Sequence, residues 1–257
     1  MSVSTVVRTP SRTTTQAEVK RDLSRLLDEL ERHVVCLGEE GITEVAGALP
    51  EEKQSPPAPV KAETNGRAEL QAIALAVAAC KKCPLHAKRH QAVPGQGSPN
   101  PDILFVGEGP GEDEDRQGLA FVGRAGQLLT RLIRRMGYTR EQVFIANVVK
   151  CRPPENRKPM PDEIAECFPY LKAQIAALQP KVIVALGAVA LEALVAPGVR
   201  ISRLRGQWQT FGEIPLMPTY HPAYLLRNQS AMWDVWHDMQ QVLERLVRSA
   251  PPSAKHR

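Results

Sequence analysis

Short apolar runs recur along the chain at intervals that leave room for one helix between neighbours: residues 103–106, 143–149 and 182–186, with a fourth near 215–219. Runs of this length bounded by turn residues read as buried strands, and the stretches between them carry helical periodicity. Helices are predicted over 67–79, 124–136, 162–178, after Gly187, and over about 231–248. Apolar strands that alternate with helices imply a sheet covered on both faces. The predicted fold is therefore α/β, a three-layer αβα arrangement around a central, mostly parallel four-stranded sheet. Ligands of such sheets bind beyond the carboxyl ends of the strands. Glu108, Asn147 and His221 each end or follow a strand, so the topology predicts that they share one crevice.

This patterned stretch is expected to form one domain, 67–248. Ahead of it lies an extension, 1–66. Residues 1–16 are rich in Ser, Thr and Arg and are read as a disordered tail, with only a faint likeness to an organelle transit peptide. In 17–36, Val19, Leu23, Leu26, Leu27, Leu30 and Val34 recur at helical spacing, an amphipathic helix suited to packing on the core or to an unknown protein partner. From 46 to 66 the run Ser55-Pro56-Pro57-Ala58-Pro59 marks a linker, and 249–257 reads as a second tail. The chain of 257 residues carries a formal net charge of +5, which suits an anionic partner such as nucleic acid. The apolar runs are too short to span a bilayer, and the expectation is a soluble, cytoplasmic monomer.

The chain has five cysteines. Cys36 falls in the N-terminal extension and is expected to be a free thiol. Cys80 and Cys83 form a CxxC pair at a helix end. Cys151 follows after 67 residues and Cys167 after 15 more, bracketing the rigid loop Arg152-Pro153-Pro154-Glu155-Asn156-Arg157-Lys158-Pro159. Four thiolates converging on one site can hold either zinc or an iron–sulfur cluster, and spacing alone leaves both open, along with two unrelated buried pairs.

Four segments together carry a resemblance: Gly107-Glu108-Gly109-Pro110-Gly111-Glu112-Asp113-Glu114-Asp115, Phe121-Val122-Gly123-Arg124-Ala125-Gly126-Gln127-Leu128-Leu129, Asn147-Val148-Val149-Lys150-Cys151-Arg152-Pro153-Pro154, and His221-Pro222-Ala223-Tyr224-Leu225-Leu226-Arg227-Asn228. In order, spacing and cysteine pattern the chain resembles family 4 of the uracil-DNA glycosylases over about residues 67–248. The resemblance implies that Cys80, Cys83, Cys151 and Cys167 hold a [4Fe–4S] cluster with a structural role. It implies uracil-containing single- or double-stranded DNA as partner, and hydrolysis of the uracil N-glycosidic bond without strand nicking. A sister group that binds uracil-DNA covalently carries a basic insertion with a histidine after the acidic loop. Here that stretch is Asp115-Arg116-Gln117-Gly118-Leu119-Ala120, without the insertion, so the hydrolytic reading is favoured over a covalent or non-hydrolytic binder.

By the same resemblance, Asn147 reads the pyrimidine edge through its carboxamide, Phe121 stacks on the everted ring, and His221 donates to a uracil carbonyl as charge builds. Glu108 faces the sugar and positions water. Gly109 allows close approach of the ring, with amides of the 109–111 turn as further donors. Glu114 and Asn156 are second-tier catalytic candidates. Leu225, Leu226 and Arg227 are candidates for entering the base stack or gripping phosphate. Lys81, Lys82, Lys88, Arg89, Arg152, Arg157 and Lys158 are expected to form a DNA-facing basic surface beside the cysteines. Each of these residues alone has an ordinary structural alternative: a strand-end cap for Asn147, core packing for Phe121, a satisfied histidine before Pro222, helix packing for the two leucines.

Overall fold

A computed structural model describes residues 63–249, with side chains from 66 to 246. The helix expected at 17–36, Cys36, the first tail, nearly all of the linker and the second tail beyond Ser249 lie outside the described residues. The elements in chain order are α1 (Glu63–Ala79), β1 (Gln96–Gly97), β2 (Ile103–Gly107), α2 (Glu112–Gln117), α3 (Arg124–Arg135), β3 (Phe144–Asn147), α4 (Pro161–Leu178), β4 (Val182–Leu186), α5 (Ala188–Leu194), α6 (Ile201–Leu204), β5 (Gln209–Phe211), β6 (Ile214–Thr219), α7 (Pro222–Leu225) and α8 (Met232–Ser249). The strands and long helices predicted for residues 67–248 all form, with α1 beginning at Glu63, ahead of the expected residue 67.

The strands form one sheet in the order β1-β3-β2-β4-β6-β5. The inner four run parallel, with Leu104 beside Phe144, Leu104 beside Ile183, and Ile183 beside Leu216. The sheet thus has six strands, where the sequence pattern predicted four. The two unforeseen strands are antiparallel edges, β1 against β3 and β5 against β6. The reason they escape prediction is physical. An edge strand buries little, so neither Gln96-Gly97 nor Gln209-Thr210-Phe211 needs an apolar run, and their pairing is set by neighbours distant in sequence.

Alternation along the buried strands divides the core into two. Ile103, Phe105, Ile145, Val184 and Leu186 join Leu129, Ile133, Val235, Met239 and Val242 on one face. Leu104, Val106, Ala146, Ile183 and Ala185 join Leu171, Ile175, Ala190 and Leu191 on the other. Period-two alternation of wholly apolar strands requires helices on both sides, and this is the three-layer arrangement predicted. The inner strands end at Gly107, Asn147, Leu186 and Thr219, so the loops after three of them carry Glu108, Val148 onward and His221 to the same rim.

Candidate active site

A cleft of about 500 Å³ opens at that rim. Glu108, Gly109, Glu114, Phe121, Asn147, Asn156, His221 and Arg227 all line it. The crevice expected from topology is therefore present, and it gathers residues from four separate loops.

Asn147 ends β3, 2% exposed. Its carboxamide oxygen is buried without a hydrogen-bond partner. Leaving such an acceptor unmet costs about 1–3 kcal/mol, a cost that a ligand N–H would remove. Beside it lies Gly107, a residue the sequence reading passed over. A Cβ at Gly107 would stand 2.5 Å from Asn147 Oδ1 and 2.5 Å from the Phe121 ring. Only hydrogen at that position lets the asparagine and the phenylalanine face each other, and a glycine at the end of a central strand is the signal that could have found it.

Phe121 is 5% exposed and adopts a left-handed backbone, φ 52°. For a residue with a Cβ this conformation costs on the order of 1–3 kcal/mol and persists only where its surroundings enforce it. Its ring lies 5.6 Å from the His221 ring at an interplanar angle of 35°. The strain is held from two sides. Glu114 Oε1 accepts from the amides of Val122 and Gly123, each at 2.8 Å, and Oε2 accepts from Gly111 N at 3.0 Å. Arg140 donates to the carbonyls of Ala120 (2.6 Å) and Phe121 (3.0 Å). Glu114, a second-tier catalytic candidate, is held by three backbone amides, the arrangement of a loop-positioning residue. The amide of Gly111, expected as a donor to uracil, is engaged by the same carboxylate. Gly109 lines the cleft, and a Cβ there would meet Val149 Cγ2 at 2.8 Å, so packing against the loop after β3 already disfavours a side chain.

His221 is the N-cap of α7. Its Nδ1 accepts from the Ala223 amide at 3.1 Å. A neutral imidazole that accepts at Nδ1 carries its proton on Nε2, which settles the tautomer left open by the sequence. Burial, with the positive charge of Arg227 adding to it, lowers the histidine pKa from 6.5 to about 4. The ring is therefore a neutral donor at physiological pH. Glu108 makes no side-chain hydrogen bond among the described residues. Burial raises its pKa, opposed by the charge of Lys158. A carboxylate moved upward and left unbonded is suited to accept a proton from water. Asn156 has φ 55°, and its Oδ1 accepts from Arg152 Nε at 2.8 Å.

The tip after His221 corrects a further expectation. Leu225 is 2% exposed and belongs to the core. In a one-turn helix Pro222 and Leu225 share the inward face, while Tyr224 and Arg227, also three apart, share the outward one. Leu226 packs partly against the core, and Tyr224 is 40% exposed at the mouth of the cleft. The inward turn of Leu225 removes it as a wedge, and the outward residues are Tyr224 and Arg227.

Cys80 and Cys83 flank the end of α1, Cys151 follows β3 and Cys167 sits in α4. All four line one small cavity together with Lys150 and Tyr170. Burial raises the thiol pKa of Cys83, Cys151 and Cys167, the last to about 11. Donors nevertheless face the sulfurs: Arg89 Nη1 lies 3.0 Å from Cys151 Sγ, and Lys150 N lies 3.2 Å from Cys167 Sγ. Buried thiolates need a metal centre to neutralise them, and N–H groups aimed at sulfur suit an anionic cluster. The donor set therefore fits such a group, although no set of three or more His, Cys, Asp or Glu side chains among the described residues is arranged to hold a single ion. Lys150, also unforeseen, is fully buried with its pKa lowered by burial to about 8, and donates to the Asn147 carbonyl (2.8 Å) and to Gln174 (2.6 Å). Two of the cations expected on a basic surface also make contacts within the chain: Arg89 with Cys151, and the exposed Arg157 with Glu163 at 2.6 Å.

The family profile described as "Uracil DNA glycosylase superfamily" matches residues 94–244. The chain is 51% identical to the type-4 uracil-DNA glycosylase of Thermotoga maritima over 165 residues, 63% of this chain and 85% of that one. The chain belongs to the type-4 uracil-DNA glycosylase family. Other members include the type-4 enzymes of Sulfurisphaera tokodaii, 45% identical over 69% of this chain and 85% of the relative, and of Archaeoglobus fulgidus, 38% identical over 71% and 96%. The family match begins at Pro94 and so leaves the first two cysteines outside it, while the cleft described above lies wholly inside. No helix among the described residues is long and apolar enough to cross a membrane.

Proposed function

We propose that this protein is a monofunctional uracil-DNA glycosylase that everts uracil from DNA into the cleft between Phe121 and Asn147 and hydrolyses its N-glycosidic bond. The observation that carries the reading is the buried, unpartnered Asn147 Oδ1 beside the neutral, Nε2-protonated His221. Uracil presents N3–H between two carbonyl oxygens. Asn147 Oδ1 accepts from that N–H, and His221 Nε2–H donates to a carbonyl. Cytosine has a bare N3 and an amino group, so the same acceptor meets a lone pair and the base is refused at a cost of a buried mismatch.

The reaction follows from these positions. Phe121 holds the ring face, and the C1′–N1 bond breaks with its electron pair passing to the base. The charge spreads onto the carbonyl that His221 contacts, and a donor in that place contributes about 2.7–4 kcal/mol to the transition state. The sugar becomes oxocarbenium-like. Glu108 faces that positive charge, orients a water toward C1′ and takes its proton. The uracil anion then takes up a proton from solvent while Glu108 returns its proton to solvent, giving free uracil and an abasic site. No lysine side chain described in the cleft is placed for a Schiff base, so the strand is not nicked. Arg227 and Tyr224, outward at the mouth, face the DNA around the everted nucleotide.

A [4Fe–4S] cluster would be held by Cys80, Cys83, Cys151 and Cys167, where it would supply structural cross-linking. Cys151 and Cys167 bracket the loop that brings Pro153, Asn156 and Arg157 to the cleft, so their joint anchoring fixes that wall. The purified protein is expected to be brown and to contain iron, and substitution of Cys167 by Ser should bleach it; a colourless protein loaded with zinc is the contrary result.

The activity is tested on a labelled oligonucleotide with one uracil, by alkaline cleavage after incubation with iron-replete protein. Alkali-dependent cleavage with released uracil is expected. A protein–DNA adduct on a denaturing gel, or intact strand after alkali, would overturn the hydrolytic reading.

A further inference from the structure

We infer that Arg140 is a positioning residue for base stacking, holding the strained backbone of Phe121 in the conformation that presents its ring to the everted base. The inference rests on the proposed role of the cleft and extends it to a residue outside its lining.

Arg140 lies in the turn between α3 and β3, away from the four segments that mark the site. Its guanidinium is partly buried, with burial lowering its pKa and Glu141 and Glu114 opposing that. One arm donates to Ala120 O at 2.6 Å, and the other donates to Phe121 O and to Thr130 Oγ1, both at 3.0 Å. Thr130 in turn donates to Gly126 O at 2.9 Å. Two successive carbonyls thus bind one planar fork, a geometry that a guanidinium satisfies and an ammonium does not. On the other side of Phe121, two successive amides bind Glu114. Phe121 at φ 52° sits between this cation and this carboxylate. Gly126 completes the clamp, because a Cβ there would stand 1.9 Å from Phe121 O. Any relaxation of the left-handed turn must turn the 120 and 121 carbonyls away from Arg140. The ring would then leave its place beside His221 and above Gly107.

The test uses the full-length, iron-replete protein. Arg140→Ala is expected to slow single-turnover uracil excision about 100-fold, the size of loss that a misplacement near 1 Å produces, while DNA affinity holds. Guanidinium ion at millimolar concentration should restore part of the rate in Arg140→Ala and none in a Phe121→Ala control. Arg140→Lys keeps the charge and loses the fork, so it should remain at least about tenfold slow. Thr130→Val removes two bonds, one from Arg140 and one to Gly126 O, and spares the bonds of Arg140 to both carbonyls, so it should turn over normally. A readout independent of activity is available because the chain has only five phenylalanines. With 4-fluorophenylalanine incorporated, the fluorine signal assigned to Phe121 should shift or broaden in Arg140→Lys and Arg140→Ala while the others stay. Normal turnover and an unmoved Phe121 signal in Arg140→Lys would overturn the inference, even if the alanine variant fails to fold. Absence of excision by the unsubstituted protein would instead overturn the functional reading, leaving the fluorine result to judge Arg140 separately.

Discussion

Replacing His221 by Ala is expected to slow single-turnover excision about 10²- to 10³-fold, with binding to uracil-DNA changed little. The argument is one of charge. In the proposed reaction the histidine meets the base where negative charge develops only as the glycosidic bond stretches, so its donor would act on the transition state far more than on the bound ground state. The backbone of Ala223 holds Nδ1, and the proton therefore stands on Nε2 of a ring that lines the cleft. Burial keeps this ring neutral down to about pH 4. Two consequences can be measured. The pH–rate profile of the unsubstituted enzyme should show no limb near 6.5 that vanishes in His221→Ala. Stability should move the other way: the unfolded histidine, at 6.5, takes up a proton that the folded one refuses until about 4. The folded state is thus favoured by this group above pH 6.5 and loses that contribution as pH falls from 6.5 to 4. Thermal melts of the enzyme and of His221→Ala should converge across that window. A histidine variant with normal turnover would remove this residue from the mechanism.

Replacing Glu114 by Ala is expected to lower both stability and rate. Its carboxylate receives three backbone N–H groups, from Gly111, Val122 and Gly123. Hydrogen bonds to charged groups contribute about 1.5–3 kcal/mol each, and buried amides left without acceptors cost about 1–3 kcal/mol. A net loss of about 3–5 kcal/mol follows, since the three are not additive, and for a domain of this size that is a fall in Tm of roughly 6–20 °C. The rate should fall about 100-fold, because the loops that carry Gly109 and Phe121 are both released. Glu114→Gln keeps one oxygen acceptor and should lie between the two. A glutamine variant as slow as the alanine one, yet fully stable, would point to a direct chemical role for the carboxylate and against the clamp. Differential scanning fluorimetry and single-turnover kinetics on the same preparations separate these outcomes.

The residues proposed to do the chemistry were legible as a group because strands advertise their ends. Glu108, Asn147 and His221 follow apolar runs whose parallel order forces their carboxyl ends to one side, and a cleft there is a consequence of topology. The four cysteines were legible as a set because they fall in the patterned part of the chain. The supporting residues were not legible. Nothing local singles out Arg140 or Lys150, yet one binds carbonyls 19 and 20 residues away and the other is fully buried against Gln174, 24 residues distant. Leu225 is in sequence either a candidate for entering the base stack or a packed helix residue. Which face of a single helical turn points inward depends on what α3 and α8 place beneath it, and no local pattern encodes that.

By itself the sequence determined the three-layer α/β class, the strand ends that carry polar groups and the cysteine set, because period-two and helical apolar patterns follow directly from which side of each element must leave water. Only the tertiary structure decided the six-strand width of the sheet, the tautomer of His221, the left-handed turn at Phe121 and the inward placement of Leu225. Each of these depends on a hydrogen bond or a steric contact between segments far apart in the chain, and such pairings come into being only when the core closes.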